Sequence, residues 1–195
     1  MKQNYSQICS SLLKGLPQRT VTVIERRFGL KDNRETLEGI GKDIGITRER
    51  VRQIENGGLS KIKERSSKYQ SLFKYFNDTL EKFGGLKRED ALLEHLGGEK
   101  DKGKVSLLLA LADDIQKIPE KDNFYACWAK KDSALEKAQK TIKLTSKQLK
   151  KQGRTLSLDE IYGYNEIKEV PSKQALESYL EVSKEIEKKI GRAHV

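Results

Sequence analysis

The chain has 195 residues, of which 35% are hydrophobic and 35% are charged, so two or three small domains are expected rather than one large core. Its 39 basic and 29 acidic residues give a formal charge of +10. Apolar stretches fall well short of the roughly 20 residues of a membrane span, and the first residues have no run of signal-peptide length. A soluble protein that does not bind membranes is therefore expected.

The positive charge is unevenly distributed along the chain. Residues 1–70 hold 15 basic and 8 acidic residues, whereas residues 71–195 hold 24 and 21. A basic segment suits a polyanionic partner, and nucleic acid is the default polyanion. The alternative is a merely soluble basic surface, and charge alone does not separate the two.

The sulfur and imidazole side chains argue against metal or redox chemistry. Cys9 and Cys127 lie far apart in the sequence, as do His95 and His194. Because no pair has metal-ligand spacing, we expect no metal site and no cofactor. Two cysteines also give no disulfide framework, which fits a reducing cytoplasm. With no phosphate loop or nucleophile–base pair either, no catalytic residue is predicted and no small-molecule substrate is expected.

The first block, residues 5–69, has helical periodicity throughout. Val21, Ile24 and Phe28 recur at helical spacing, and Gly29 is a predicted helix stop. Two further helices follow, each with a threonine at its predicted N-cap. The predicted N-terminal domain covers residues 1–70.

A winged-helix-like module is predicted for residues 71–130. Three helical segments, separated by Gly84-Gly85 and Gly97-Gly98, precede two short strands around the turn at residues 119–123. Three helices followed by a hairpin is the order expected of a winged helix. The aromatic residues of the hairpin, Phe124, Tyr125 and Trp128, could form a DNA-contacting wing or the core of the small sheet, and the core is favoured.

Residues 131–189 are predicted to form a further helical module, with helices over 134–152, 157–165 and 172–190. No exact internal repeat is found. The last six residues, 190–195, match the translation of a widely used sequencing adapter. We therefore interpret 190–195 as an artefact and expect the natural protein to continue beyond Lys189. The predicted fold class is mainly α: a helix-turn-helix domain followed by small winged-helix-like modules with a short β-hairpin.

The segment at residues 36–55, TLEGIGKDIGITRERVRQIE, has the layout of a helix-turn-helix. At about 100° per residue, Val51, Ile54, Gly58 and Ile62 point to the core. The opposite face carries polar and charged side chains that suit DNA. Seven candidate DNA-binding residues follow: Thr47, Arg48, Glu49, Arg50, Arg52, Gln53 and Asn56.

The chemistry of that face suits base recognition. A carboxylate such as Glu49 accepts from the cytosine amino group, Gln53 can pair with adenine, and arginines reach guanine edges or phosphates. An acidic residue among arginines weakens phosphate binding, so Glu49 is interpreted as a base reader. The alternative is a charged, solvated helix on a bundle.

The strings TRERVRQIE and ERRFGL, at residues 47–55 and 25–30, resemble region four of the sigma-seventy family of bacterial sigma factors. The resemblance covers roughly residues 16–65. It implies a module that reads the upstream promoter element in double-stranded DNA and docks on the β-subunit flap of RNA polymerase. By matching position, Arg48, Glu49 and Gln53 would contact bases, while Arg50 and Arg52 would hold the backbone. It also places the protein in the cytoplasm, at the nucleoid.

The chain departs from the family pattern in two places. Gly39 replaces the usual Glu, so the capping box begun by Thr36 is incomplete. Gly57 and Gly58 interrupt the recognition helix, where the pair is predicted to bend the helix or to mark a close packing contact. We favour packing for Gly58 and simple weakening of the helix for Gly57.

The leading hypothesis is a transcription factor of the sigma region-four type. The first alternative is a protein that occupies the polymerase flap and modulates a true sigma factor without reading DNA. The intact Glu49 and Gln53 argue against it. The second alternative, an enzyme acting on DNA, finds no support in the residues.

Overall fold

The computed structural model describes residues 4–131, 134–189 and 192–194. The chain forms two compact units. The N-terminal unit contains Met1–Phe73 and Leu93–Ala112, and the C-terminal unit contains Lys74–Leu92 and Asp113–Val195. Residues 93–112 thus group with the N-terminal residues, and the domain limits expected at residues 70 and 130 stay predictions.

The described residues are mainly helical, with short strands between the helices, as predicted. The helices are α1 (Tyr5–Leu13), α2 (Gln18–Phe28), α3 (Leu37–Asp43), α4 (Arg48–Glu64), α5 (Gln70–Lys82), α6 (Glu89–Leu111), α7 (Ala134–Gln152), α8 (Leu158–Tyr162) and α9 (Lys173–Glu181). The strands are β1 (Leu86–Arg88), β2 (Ile115–Ile118), β3 (Cys127–Lys130), β4 (Leu156–Ser157), β5 (Glu187–Lys189) and β6 (Arg192–His194). Among these helices, none combines the length and apolar character that a membrane crossing requires.

Within the N-terminal unit, α6 from Leu93 onward contacts α1 and the end of α2. Gly98, with φ +61°, breaks α6 at the predicted stop. Tyr5 donates to the Leu96 carbonyl at 3.1 Å. A Cβ atom on Gly103 would lie 2.2 Å from the Gly29 carbonyl oxygen. This approach is too close for any side chain, so glycine is required where the two helices meet.

The predicted hairpin is present and joins a third strand. β2 and β3 pair antiparallel, with Ile118 opposite Cys127. β1 pairs with the other edge of β3, which gives the order β1-β3-β2. Trp128 on β3 is 2% exposed, as the core interpretation predicted, whereas Tyr125 in the hairpin is 39% exposed. Arg88 and Lys184 flank the Tyr125 ring at 5.2 and 5.4 Å from its centroid, which favours a cation–π arrangement.

The predicted helix over residues 172–190 is wrong in its second half, because α9 ends at Glu181. The segment that follows pairs with the hairpin loop instead. The Tyr125 amide donates to the Val182 carbonyl at 2.9 Å, and the Lys184 amide donates to the Asn123 carbonyl at 3.0 Å. These distant backbone partners compete with helix continuation, and β5 then begins at Glu187.

The second sheet repeats the arrangement of the first. Its order is β4-β6-β5, so in both sheets the last strand lies between the other two. In both cases the elements follow one another as helix, strand, two α-helical segments and two strands, and in the second case a short 3-10 helix, Asn165–Ile167, lies between the two α-helical segments. This is the winged-helix order, met twice. The interpretation of residues 190–195 as an artefact stays a prediction, and Ile190, Gly191 and Val195 lie outside the described residues.

Both cysteines are free and buried. Desolvation by burial raises the pKa of the Cys9 thiol to about 12 and that of Cys127 to about 11. Both thiols are therefore protonated at neutral pH, and since the thiolate is the reactive form, neither is a nucleophile in the folded protein.

Candidate nucleic-acid interface

The turn between α3 and α4 is built from local signals in the sequence. The Thr36 hydroxyl accepts from the Gly39 amide at 3.0 Å and caps α3. Gly45, with φ +69°, reverses the chain in a conformation that glycine adopts without strain. The Thr47 hydroxyl accepts from the Arg50 amide at 3.2 Å and caps α4. Each cap satisfies an amide that the helix start leaves without a partner.

Gly41 holds the two helices close together, a role that the sequence pattern did not assign. The Ile46 amide donates to the Gly41 carbonyl at 2.9 Å. A Cβ atom at position 41 would lie 2.6 Å from the Ile46 carbonyl oxygen, which is backbone and cannot yield. A glycine inside a helix destabilises it by about 1 kcal/mol relative to alanine. Its presence within the short helix α3 was therefore the signal in the sequence that a close packing contact requires glycine there.

A small apolar core fixes the recognition helix on its support. Val23, Ile40 and Val51, one from each of α2, α3 and α4, are fully buried together. Around them pack the partly buried side chains of Leu37, Ile44, Ile46 and Ile54. The predicted apolar face is confirmed, and Ile46, just before the cap of α4, packs against the same cluster as Val51.

The opposite side of α4 is exposed. All seven predicted site residues lie there or at the cap, and each is solvent-exposed: Thr47, Arg48, Glu49, Arg50, Arg52, Gln53 and Asn56. Four of them are joined by hydrogen bonds along the first two turns. Their assignment as DNA-binding residues stays a prediction, to which the structure adds their exposure and their mutual contacts.

Glu49 and Arg52 form a two-point ion pair on the exposed face. Arg52 donates from Nε to Glu49 Oε2 at 2.8 Å and from Nη2 to Oε1 at 2.7 Å. Beside them, Arg50 donates to Gln53 Oε1 at 3.1 Å, and Gln53 Nε2 lies 3.5 Å from Glu49 Oε1. The side chains are thus held in defined orientations before any ligand binds.

The ion pair sets the charge state of the carboxylate. Hydrogen bonding to Arg52 lowers the pKa of Glu49 below its ordinary value and raises that of Arg52. Glu49 is therefore ionised and serves only as an acceptor, which is the state required to accept from a base amino group. The same ion pair partly neutralises the positive charge of Arg52.

Arg26 ties the elements of the helix-turn-helix together. Its guanidinium donates from Nε and Nη2 to the two oxygens of Glu35, each at 2.6 Å, and from Nη1 to Asp43 at 2.6 Å. One side chain of α2 therefore holds both the loop before α3 and the end of α3. Hydrogen bonding to Arg26 lowers the pKa of Glu35.

Arg27 makes the corresponding link to the recognition helix. It donates from Nε to Glu55 Oε2 at 3.2 Å and from Nη1 to the Glu35 carbonyl at 2.5 Å. Both groups of the Arg27–Glu55 pair are largely buried, with 17% and 13% of the side chains exposed. Sequence reasoning used the ERRFGL string only as a sign of resemblance. In the structure its two arginines form the frame that orients α4.

α4 continues through the glycine pair. Gly57 and Gly58 lie inside one uninterrupted helix, Arg48–Glu64. A Cβ atom on Gly58 would lie 2.6 Å from Thr20 Cγ2 and 2.8 Å from Ile24 Cδ1, whereas one on Gly57 would meet nothing within 4 Å. The predicted packing role of Gly58, and its absence at Gly57, are confirmed.

Comparison with known proteins agrees with this geometry. The family described as "Sigma-70, region 4" matches residues 12–64. Residues 12–64 form a sigma-70 region 4 domain. The matched range begins in α1 and ends at the last residue of α4, so the domain includes α2 with Arg26 and Arg27, α3 and α4.

Relatives of this segment include RNA polymerase sigma factors. The RNA polymerase principal sigma factor HrdD of Streptomyces viridifaciens is 45% identical over 60 residues, which are 30% of this chain and 18% of that protein. The RNA polymerase sigma factor RpoD of Helicobacter pylori strain 26695 is 40% identical over 78 residues, 39% of this chain and 11% of that protein. The chain thus spans less than a fifth of the length of either relative.

Proposed function

We propose that this protein binds double-stranded promoter DNA through its region 4 domain and acts with RNA polymerase in transcription initiation or its regulation. The observation that carries the proposal is the exposed group on α4, in which Glu49, Arg50 and Gln53 are ordered by mutual hydrogen bonds. Such a group supplies an acceptor, an amide and a cation, which are the chemical types that contact base edges and phosphates in the major groove.

Base contacts come from the first two turns of α4. Arg48, Glu49 and Gln53 read base edges, and Arg50 holds the phosphate backbone, assisted by Arg52. Thr47 fixes the start of the helix, and Asn56 extends the polar face by one turn. The buried apolar core, Arg26 and Arg27 hold α4 in a fixed orientation relative to α2 and α3. Recognition of specific bases requires such a fixed orientation.

RNA polymerase is the proposed protein partner, with the β-subunit flap as the docking surface. The support is the region 4 match together with relatives that are named as RNA polymerase sigma factors. The rival function is flap binding without DNA reading. It predicts that substitutions on the exposed face of α4 leave the protein fully active.

Selection from a pool of random duplexes with the full chain tests the proposal. The expected result is enrichment of a defined sequence motif and an affinity that falls steeply with added salt, because bound phosphates release counterions. Arg50→Ala should weaken binding to every duplex, whereas Lys82→Ala, which removes an exposed charge from α5, should not. Absence of duplex binding at low salt would reject DNA reading and favour the flap-only function.

A further inference from the structure

The positive charge that follows residue 70 is concentrated on one helix. α7 contains six lysines and a single acidic residue, Glu136, whereas the rest of residues 71–195 holds 18 basic and 20 acidic residues. A helix with a net charge of +5 in an otherwise slightly acidic segment is a local feature. General solubility does not require it.

The lysines share one face of α7. At about 100° per residue they fall within an arc of roughly 140° and extend along about 21 Å of helix. All six are exposed: Lys137, Lys140, Lys143, Lys147, Lys150 and Lys151. The other face of the helix is buried in the core of the C-terminal unit, for example through Ala138, Ile142 and Leu149.

Acidic neighbours neutralise only the N-terminal part of this lysine face. Lys140 pairs with Glu169 at 2.8 Å, and Lys137 also lowers the pKa of Glu169. Lys143, Lys147 and Lys150 make no ion pair with any residue that the structure describes. Three cations at i, i+4 and i+7 are therefore available to an external anion.

These three lysines line an open groove. The groove has a volume of about 770 Å³, and its other lining residues include Asn123, Phe124 and Glu185. Glu185 is the one carboxylate among the described lining residues, so the groove remains positive overall. Phe124 packs against the core, and the lysine face itself carries no aromatic side chain on which a base could stack.

We propose that the lysine face of α7 is a second nucleic-acid site, which binds the phosphate backbone of duplex DNA without reading its sequence. Lysine is a compact point charge that suits phosphate, and unpaired lysines at helical spacing match a regular polyanion. Single-strand binding depends on aromatic stacking, and Phe124, the one aromatic side chain among the described lining residues of the groove, packs against the core instead. The inference rests on α7 alone and stands whether or not the region 4 domain reads promoters.

A second DNA-binding site on the same chain would increase the overall affinity for DNA. Two linked sites raise the overall affinity because the second binding event takes place at a high effective concentration. The α7 site would add affinity for DNA flanking a recognised sequence and would leave the choice of sequence to α4.

The test uses the full chain with a triple variant, Lys143→Gln, Lys147→Gln and Lys150→Gln. Each neutralised phosphate contributes about 0.9 to the slope of log affinity against log salt, so the slope should fall by up to about 2.7. When the salt is raised from 50 to 200 mM, the parent should therefore lose affinity by a factor up to about 40 times larger than the variant does. The motif selected from random duplexes should not change.

A matched variant supplies the control. Lys82→Gln, Lys100→Gln and Lys168→Gln remove three exposed lysines from other elements and should leave the slope unchanged. Thermal melts of both variants should match the parent, since all six side chains are exposed. An equal loss of slope in both variants would overturn the assignment of the site to α7.

The remaining outcomes separate this inference from the proposed function. An unchanged slope and affinity in the α7 variant would overturn the inference. This is also the result expected if the lysine face binds an acidic protein and not DNA. A loss confined to single-stranded DNA would also overturn it. If the α7 variant loses duplex affinity while Arg50→Ala has no effect, the inference stands and the proposed role of the region 4 domain fails.

Discussion

At the residue scale, the exposed face of α4 combines a carboxylate with arginines in a fixed pattern. Glu49 is held by Arg52 and stays ionised, while Arg50 is oriented by Gln53. The hydrogen bonds order the side chains in the free protein, so less conformational freedom would be lost in the proposed binding of DNA. The two residue types should therefore give different defects when they are removed.

Glu49→Ala should relax the preference at one base pair by roughly 5- to 150-fold, because one acceptor for a base amino group is lost. Arg50→Ala should weaken all sequences about equally, because it removes a phosphate contact. Selection from randomised duplexes with each variant measures both effects. An unchanged motif for Glu49→Ala would show that this carboxylate does not read a base.

The glycine pair of α4 gives a second residue-scale prediction. Gly58→Ala should lower the free energy of unfolding by roughly 1–3 kcal/mol, because the new methyl group meets Thr20 and Ile24 at under 3 Å. Gly57→Ala should raise it by up to about 1 kcal/mol, since the added methyl lies in open space. Denaturant unfolding of the two single variants decides, and stabilisation by Gly58→Ala would contradict the packing role.

At the scale of elements, caps and close contacts explain where the helices begin and how they meet. α8 begins with a complete capping box: the Ser157 hydroxyl accepts from the Glu160 amide at 3.1 Å, and the Glu160 carboxylate accepts from the Ser157 amide at 2.7 Å. Arg154 adds an ion pair to the same carboxylate at 2.7 Å. A five-residue helix needs such support, because isolated short helices are unstable in water.

The capping box predicts a dependence on pH. Arg154 and the Ser157 amide lower the pKa of Glu160 from 4.5 to about 2. Because the folded pKa lies below the unfolded value, the stabilisation is present above pH 4.5 and is lost as the pH falls toward 2. Glu160→Gln should flatten that part of the stability profile, measured by thermal melts from pH 6 to about 2.5. A profile unchanged in this variant would rule out the proposed contribution.

At the scale of the whole molecule, Leu93–Ala112 is part of the unit that holds the region 4 domain, although 28 residues separate its start from the end of α4. The contact at Gly103 predicts that this part of α6 stabilises the N-terminal unit. Gly103→Ala should lower the free energy of unfolding of that unit by roughly 1–3 kcal/mol, because the methyl group would clash with backbone at Gly29. Hydrogen exchange of α2 and α4 measures this, with Lys100→Ala, an exposed change in the same helix, as the control. Equal protection in both variants would show that the contact is not required.

Much of the N-terminal unit could be predicted because its signals are local. Thr36 and Thr47 cap their helices, Gly29 and Gly45 lie where the chain reverses, and the 3.6-residue period identified the apolar side of α4. Each of these features depends on a few neighbouring residues. The seven predicted site residues were chosen in the same way, as the polar face opposite that apolar stripe, and the structure shows that they are exposed.

The remainder depended on partners far away in the sequence. β1 was missed because a three-residue strand is defined only by its pairing with β3, some 40 residues later. α9 ends early because the backbone groups of Val182 and Lys184 form hydrogen bonds with the hairpin loop. The roles of Arg26 and Arg27 depend on the contact of α2 with its neighbouring helices. The sequence by itself determined the helix-turn-helix and the exposed polar face of α4. Only the tertiary structure decided the strand pairing, the frame around α4 and the grouping of α6, because those contacts join residues whose proximity no local pattern encodes.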